Sequence, residues 1–421
     1  FSFPKLRWSV CHLREFLPTE EISRGLGAPA PLNYLPPAEF ADMRQQIDAL
    51  TFMPMNADEE MTWEASLYAN YTDGMLILHR GEVVYERYFG CLDEGGKHAI
   101  MSMTKSITGL LGEILVAEGV LDDTLLVRDV IPEIGDSAFA TATVREVMDM
   151  TTGVRYSEDY SDPTADIWVY SRAASPLPKP KGYEGPDGYW EYLQQVQPDG
   201  EHGAEFHYKT INSDMLGWII SRVSGKSVTE LASERLWRRM GAEQDAYQTV
   251  DGKGVPFAGG GLTAGLRDLG RLGLLVLNQG VINGERLFPA EVVQSIRAGG
   301  DPSKFVGFPT IPGGSYTSQW WVFHNEHGAY AARGVHGQTI YVDPTAEMVL
   351  VRFASFPAGQ ANGWVIAASA LGSFVGALLG GFLAKEFGYN SVNWMAAIAG
   401  AGSFATLFLW LRPVEKQRAE H

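Results

Sequence analysis

Strand-like sequence is confined to the two flanks of this chain's first 356 residues. Met75 to Phe89 is a candidate β-hairpin, because its alternating residues are interrupted by Arg80-Gly81. Three further runs come late: Gln319 to Phe323, Ala329 to Val335, and Thr339 to Phe356 with a turn at Pro344-Thr345. The intervening sequence is mainly helical. One helix is predicted to start near Ser102, to carry Ile107, Leu110, Leu111, Ile114 and Leu115 on one face, and to end before Gly119. Strands so far apart share a core only if both flanks meet in one sheet. The expected fold is therefore mixed α/β (α+β), an antiparallel sheet built from both ends of a body at 61–362 and flanked by helices. A helical subdomain at about 120–255 is inserted, and residues 1–60 form an N-terminal arm.

With 421 residues the chain can bury a large core, and 45% hydrophobic against 20% charged residues excludes wholesale disorder. Lys and Arg total 33 against 50 Asp and Glu, a net charge of -17 without a basic cluster, so nucleic acid is not an expected partner. Cys11 and Cys91 read as neither a disulfide framework nor a metal-site pattern. His324 and His327 are three apart, but no carboxylate or cysteine set surrounds them. The expectation is a solvated loop, with no metal and no cofactor.

The first ten residues lack the apolar run of a signal peptide. The far end differs: 365–384 and 391–411 are uncharged, each long enough to span a bilayer, and Arg412, Lys416 and Arg418 follow. These features predict an apolar helical hairpin at 363–421 in contact with a membrane and a cytoplasmic body. The competing reading makes the first run a buried helix of that body.

Ser102-Met103-Thr104-Lys105 begins the predicted helix. Residues three apart share a helical face, so the Lys105 amine can reach the Ser102 hydroxyl. A serine hydroxyl needs a neighbouring base to attack at neutral pH, and lysine serves when its pKa is lowered. Free N–H groups at a helix start can stabilise a developing oxyanion. The spacing alone is equally that of an N-cap serine and a solvated lysine.

Four more segments follow in order: Thr143 to Gly153, Tyr208 to Asn212, Gly259 to Gly273, and His336-Gly337-Gln338. Together with Ser102-x-x-Lys105 they resemble the serine hydrolases of the penicillin-binding-protein and class C β-lactamase superfamily. Glu158-Asp159-Tyr160, Tyr316-Thr317, Gln319-Trp320-Trp321 and Asp343-Pro344 are most similar to the 6-aminohexanoate-dimer hydrolases and their carboxylesterase relatives. The resemblance implies that Ser102 is acylated, Lys105 takes its proton and Tyr208 relays a proton to the leaving group. It implies an oxyanion hole from the N–H groups of Ser102 and Val335, and substrate contacts from Tyr160, Glu158, Asn212 and His336. A phenol beside an ammonium is expected to have a lowered pKa.

Each residue also has a structural reading. Tyr208 can be a core tyrosine, Tyr160 one more ring in an aromatic group, Asn212 a turn residue and His336 a shaper of its strand. Past Gly363-Trp364 the resemblance fades, and Gly380 to Tyr389 resembles a loop between helices of major facilitator transporters. The expected function is hydrolysis of a small linear amide or ester. The alternatives are a β-lactamase or D-alanyl-D-alanine peptidase, disfavoured because His336-Gly337-Gln338 replaces Lys-Thr-Gly, and a non-catalytic membrane-anchored binding protein. The sequence leaves the oligomeric state open, a homodimer included.

Overall fold

The computed structural model describes residues 3–54, 58–160, 162–308 and 311–357. The predicted hairpin forms from β3 (Thr72–His79) and β4 (Glu82–Tyr88). Its turn places Arg80 and Gly81 at φ 51° and 82°, the paired positive φ values that match the twist of antiparallel strands. The late runs become β9 (Trp320–Val322), β10 (Tyr330–Gly334), β11 (Gln338–Asp343) and β12 (Met348–Ala354), preceded by a strand that no sequence pattern placed, β8 (Ser315–Thr317). All join one eight-stranded sheet in the order β8-β9-β10-β11-β12-β3-β4-β2, where β2 is the short edge Asn33–Tyr34. Pairing is antiparallel except at β2. Both flanks of the body thus meet at the β12–β3 seam.

Strand β3 is buried on both faces, which is why its sequence is an apolar run and not an alternation. Leu76 and Leu78 enter the main core, while Met75 and Ile77 pack with Trp63 and Tyr85 on the other side. The helix Leu266–Leu277 lies across the first face, so close that a Cβ on Gly273 would sit 2.3 Å from the Val349 side chain.

The helix α2 (Met103–Ala117) begins where the sequence predicts, but it is not a surface helix with one apolar face. Every residue from Met103 to Leu115 is buried, because α2 lies between β10 and the helix α4 (Ile211–Ser224). Burial of each leucine or isoleucine along it contributes roughly 1.5–3 kcal/mol. A Cβ on Gly109 would fall 1.8 Å from the Ser318 carbonyl oxygen, so this close approach of helix to the β8–β9 turn requires glycine. The same turn is tied by charge. Arg145, on α3 (Val144–Met148), reaches Glu113 of α2 at 2.7 Å and Ser318 at 3.0 Å, and Asp149 accepts from the Ser318 N–H and the Thr317 hydroxyl at 2.9 Å each.

The N-terminal residues are woven into the body. β1 (Thr19–Ile22) pairs with β6 (Ala246–Thr249) in a four-stranded sheet completed by β7 (Leu262–Ala264) and β5 (His98–Ala99). Cys11 and Cys91, which read as unrelated thiols, form a disulfide across 80 residues. Sequence distance hid the pair, because the helix α1 (Leu6–Ser9) folds back beside Ala99 and brings Cys11 to Cys91. Disulfides persist mainly in oxidising compartments, so this bond weighs against the cytoplasmic placement.

The histidine pair departs from expectation at one member. His327 is buried with Nδ1 2.9 Å from an Asp343 oxygen and so does not belong to a solvated loop, whereas His324 lies on an exposed loop with Nε2 2.7 Å from Ser315 Oγ. Among the described residues no cluster could hold a metal ion, and no helix is long and apolar enough to cross a membrane. The hairpin predicted at 363–421, with its membrane contact and transporter likeness, lies outside the described residues.

Candidate active site

The small sheet launches the site. β5 ends at Ala99, the Ile100 N–H donates to Leu262 O at 2.9 Å, and Met101 takes φ 50° before α2 starts. A methionine in the left-handed region is a costly conformation of the kind held at functional sites. It turns the chain sharply, so that Ser102 stands at the head of α2. Lys105 follows one turn later with Nζ 3.1 Å from Ser102 Oγ.

Lys105 is 1% exposed and also donates to the Gly259 carbonyl at 2.5 Å, which explains the place of the Gly259–Gly273 segment in the ordered motifs. Burial pushes the amine down to about 8, against the opposing charges of Glu158 and Asp214. Asp214, on the first turn of α4, is equally buried; desolvation raises its pKa while the Tyr170 hydroxyl and Lys105 pull it down. Nothing in the sequence singled out Asp214, since it lies in an ordinary helical pattern.

Tyr208 lies beside both groups, its ring 5.2 Å from Lys105 Nζ and stacked on Trp321 at 5.6 Å. Its hydroxyl is not acidified as a phenol next to an ammonium would be. Burial, and then the Glu158 charge, hold it well above the ordinary phenol range, and Ser102 and Arg333 oppose this only in part. Desolvation outweighs the neighbouring cation, so Tyr208 keeps its proton across the neutral range.

β10 passes the head of α2 at its Gly334 end. Gly334 has an extended backbone that any residue adopts, φ -138° and ψ 156°, yet a Cβ there would lie 2.6 Å from Ile100 O and 3.0 Å from Ser102 N. This approach brings Val335 beside Ser102. Neither the Ser102 N–H nor the Val335 N–H has an intramolecular partner among the described residues, so both donors are free for a ligand oxygen.

The remaining residues are spread more widely. Glu158 accepts from the Thr210 N–H and hydroxyl at 2.8 and 2.7 Å and from the Tyr160 hydroxyl at 2.9 Å, which ties it to the start of α4. Tyr160 itself is 46% exposed, edge-on to Trp168. Asn212 is fully buried, accepting from Thr152 and donating to Lys209 O, so its amide is engaged in holding α4. His336 lies in the turn after β10 at φ 68°, with Nδ1 2.8 Å from Phe356 O, and burial lowers its pKa. Two aromatic groups emerge in place of the one that sequence suggested. Tyr156, Tyr170 and Tyr189 pack internally, whereas Phe206, Phe305, Phe308, Tyr316 and Trp321 form a separate cluster that adjoins Tyr208.

A serine beside a buried lysine, a tyrosine next to both and two free N–H groups, held between an antiparallel sheet and a helical layer, point to the class. The chain belongs to the Beta-lactamase family, whose profile matches residues 70–363. It is 34% identical over 365 residues to the 6-aminohexanoate-dimer hydrolase of Paenarthrobacter ureafaciens, covering 86% of this chain and 88% of that one. A solved structure from Bacillus anthracis, assigned as a 6-aminohexanoate-dimer hydrolase, matches with a TM-score of 0.78 and 31% identity over 89% of this chain and 94% of its own. A family VIII carboxylesterase shares the fold, with a TM-score of 0.55 and 15% identity over 83% and 99% of the two chains.

Proposed function

We propose that this chain is a serine hydrolase that cleaves a small linear amide through an acyl-enzyme on Ser102. The observation that carries the reading is the 3.1 Å contact between Ser102 Oγ and a buried Lys105 amine. The neutral amine takes the hydroxyl proton as Oγ attacks the carbonyl carbon, and the carbonyl oxygen gains negative charge facing the Ser102 and Val335 N–H groups. Tyr208 then gives its proton to the leaving nitrogen and regains one from the Lys105 ammonium. The C–N bond breaks, the amine departs, and water attacks the acyl-serine by the reverse use of the same groups.

The relatives' substrate, an amide dimer of an ω-amino acid, favours amide over β-lactam chemistry for this chain. The carboxylates near Glu158 give no support to a bound cationic amine, because Glu158, Asp162 and Asp166 are engaged by neighbouring hydroxyl and N–H groups. The test is intact-protein mass after treatment with a fluorophosphonate, on the parent and on Ser102→Ala. One adduct on the parent and none on the variant is expected. A folded parent without an adduct would refute the activated serine, and nitrocefin turnover comparable to amide turnover would favour the β-lactamase alternative.

A further inference from the structure

The segment from Phe3 to Pro18 faces two ways. Leu6, Val10 and Leu13 are buried against Ala99, at the spacing of one helical face. Phe3, Lys5, Trp8, Arg14 and Phe16 are turned outward and exposed. Trp8 is 51% exposed although its ring stacks on His12 at 4.0 Å and reaches Phe16 at 6.5 Å. Adjoining apolar rings held in the open mark an interaction surface.

The charge around these rings runs against that of the whole molecule. The chain has 50 acidic and 33 basic residues, yet from Phe3 to Pro18 three basic residues stand against one acidic residue, Glu15. Arg7 is engaged by Asp73 at 3.3 Å. Lys5 and Arg14 make no ion pair among the described residues. Neither does Lys97, which lies over the Tyr247 ring at 5.1 Å, the ring that Arg14 covers at 4.0 Å.

The chain leaves the large sheet beside the same segment. Phe3 meets Tyr71 edge-on at 5.2 Å, Tyr71 meets Phe356 at 5.9 Å, and Arg7 donates to the Ser355 hydroxyl at 3.3 Å. No charged residue occurs between Arg352 and Lys385. Exposed aromatic rings and unpaired cations beside a long uncharged sequence have the composition of a bilayer interface. There rings settle at the level of the headgroups, and lysine and arginine are drawn to anionic lipid. A second copy of this chain, with its net charge of -17, would match the cations but not the uncharged sequence next to them.

We propose that Phe3, Lys5, Trp8, Arg14 and Lys97 form a surface that seats the folded body on the headgroups of an anionic bilayer. The contact is peripheral and is independent of the chemistry assigned to Ser102.

The full chain is mixed with vesicles of phosphatidylcholine and phosphatidylglycerol whose acyl chains are brominated near the headgroup. Tryptophan quenching, relative to unbrominated vesicles, is compared between the parent and Trp8→Phe. Bromine quenches only at short range, so the difference between the two proteins reports Trp8, whatever other segment holds the chain to the vesicle. With Trp8 one of 11 tryptophans, the parent should lose about a tenth more of its emission than the variant. This excess should fall about twofold or more at high salt, on phosphatidylcholine alone, and in the double variant Lys5→Glu with Arg14→Glu. Near-ultraviolet circular dichroism shows that each variant is folded, and sedimentation without vesicles gives its oligomeric state. Equal quenching of parent and Trp8→Phe overturns the proposal, even when both proteins float with the vesicles. So does an excess that ignores salt and lipid charge. A dimer that Trp8→Phe dissociates also overturns it, by assigning the surface to a second copy.

Discussion

Gly334→Ala tests whether the proposed oxyanion donors depend on the close approach of β10 to the head of α2. The glycine is not required by its backbone angles, which any residue can adopt. It is required by space, since the added methyl would sit 2.6 Å from Ile100 O, about 0.8 Å short of ordinary contact. Neither neighbour can yield easily: Ile100 is pinned by its bond to Leu262 O, and β10 is paired with β11 along its length. The strain is therefore relieved by β10 moving off by several tenths of an ångström, which carries the Val335 N–H away from the Ser102 N–H. A misplacement of about 1 Å can cost roughly 100-fold, and loss of one oxyanion donor about 100- to 1,000-fold. The expected result is a fall in kcat of about 100-fold with KM changed much less, measured on a chromogenic ester. Near-ultraviolet circular dichroism and a thermal melt establish that the variant is folded. A folded Gly334→Ala with kcat within a few-fold of the parent would refute the reasoning, because the donors would then not depend on this approach.

In the proposed mechanism Lys105 reacts as the neutral amine, and burial lowers its pKa to about 8, so kcat/KM should rise with pH and level off above that value; a profile flat from about pH 6 to 10 would count against the assignment. Asp214→Asn removes a charge that favours the ammonium, so this acidic limb should move to lower pH, and a limb that stays or moves up contradicts the coupling. Arg145→Met leaves Glu113 and Asp149 without their cation under the β8–β9 turn. Denaturant unfolding should show a loss of about 3–5 kcal/mol, and a loss below 1 kcal/mol would show that the network is dispensable. Reducing Cys11–Cys91 releases a loop of 80 residues, with an expected loss of about 4–5 kcal/mol on the chain-entropy account; equal melts with and without reductant would refute it.

Most of the sheet was legible because short apolar runs and turn residues are local signals. Arg80-Gly81 marks its own turn, and the late strands lie within a residue or two of where their apolar patterns place them. Ser102 and Lys105 were legible for a similar reason, since three residues of helix fix their mutual reach. What stayed hidden depends on packing between distant segments. Lys105 is acidified by burial that only the assembled layers supply, and the same burial reverses the expectation for Tyr208. Asn212 and Glu158 stand near the site in sequence order, yet their polar atoms are engaged in fastening α4. Asp214 and Arg333 carry no motif, and the disulfide joins residues whose spacing suggests nothing.

The turn that follows Val335 is clasped at two points: the Phe356 N–H donates to His336 O at 3.1 Å, and His336 Nδ1 meets Phe356 O at 2.8 Å. In mechanical terms, the place where the chain leaves the sheet is a lever arm with its short end on Val335, the proposed oxyanion donor. Tension or truncation applied just after β12 is transmitted through that clasp to one N–H group, whereas the serine, lysine and tyrosine are anchored elsewhere. A tag or graft at this point therefore loads the Val335 side of the site and spares the side that carries Ser102, Lys105 and Tyr208.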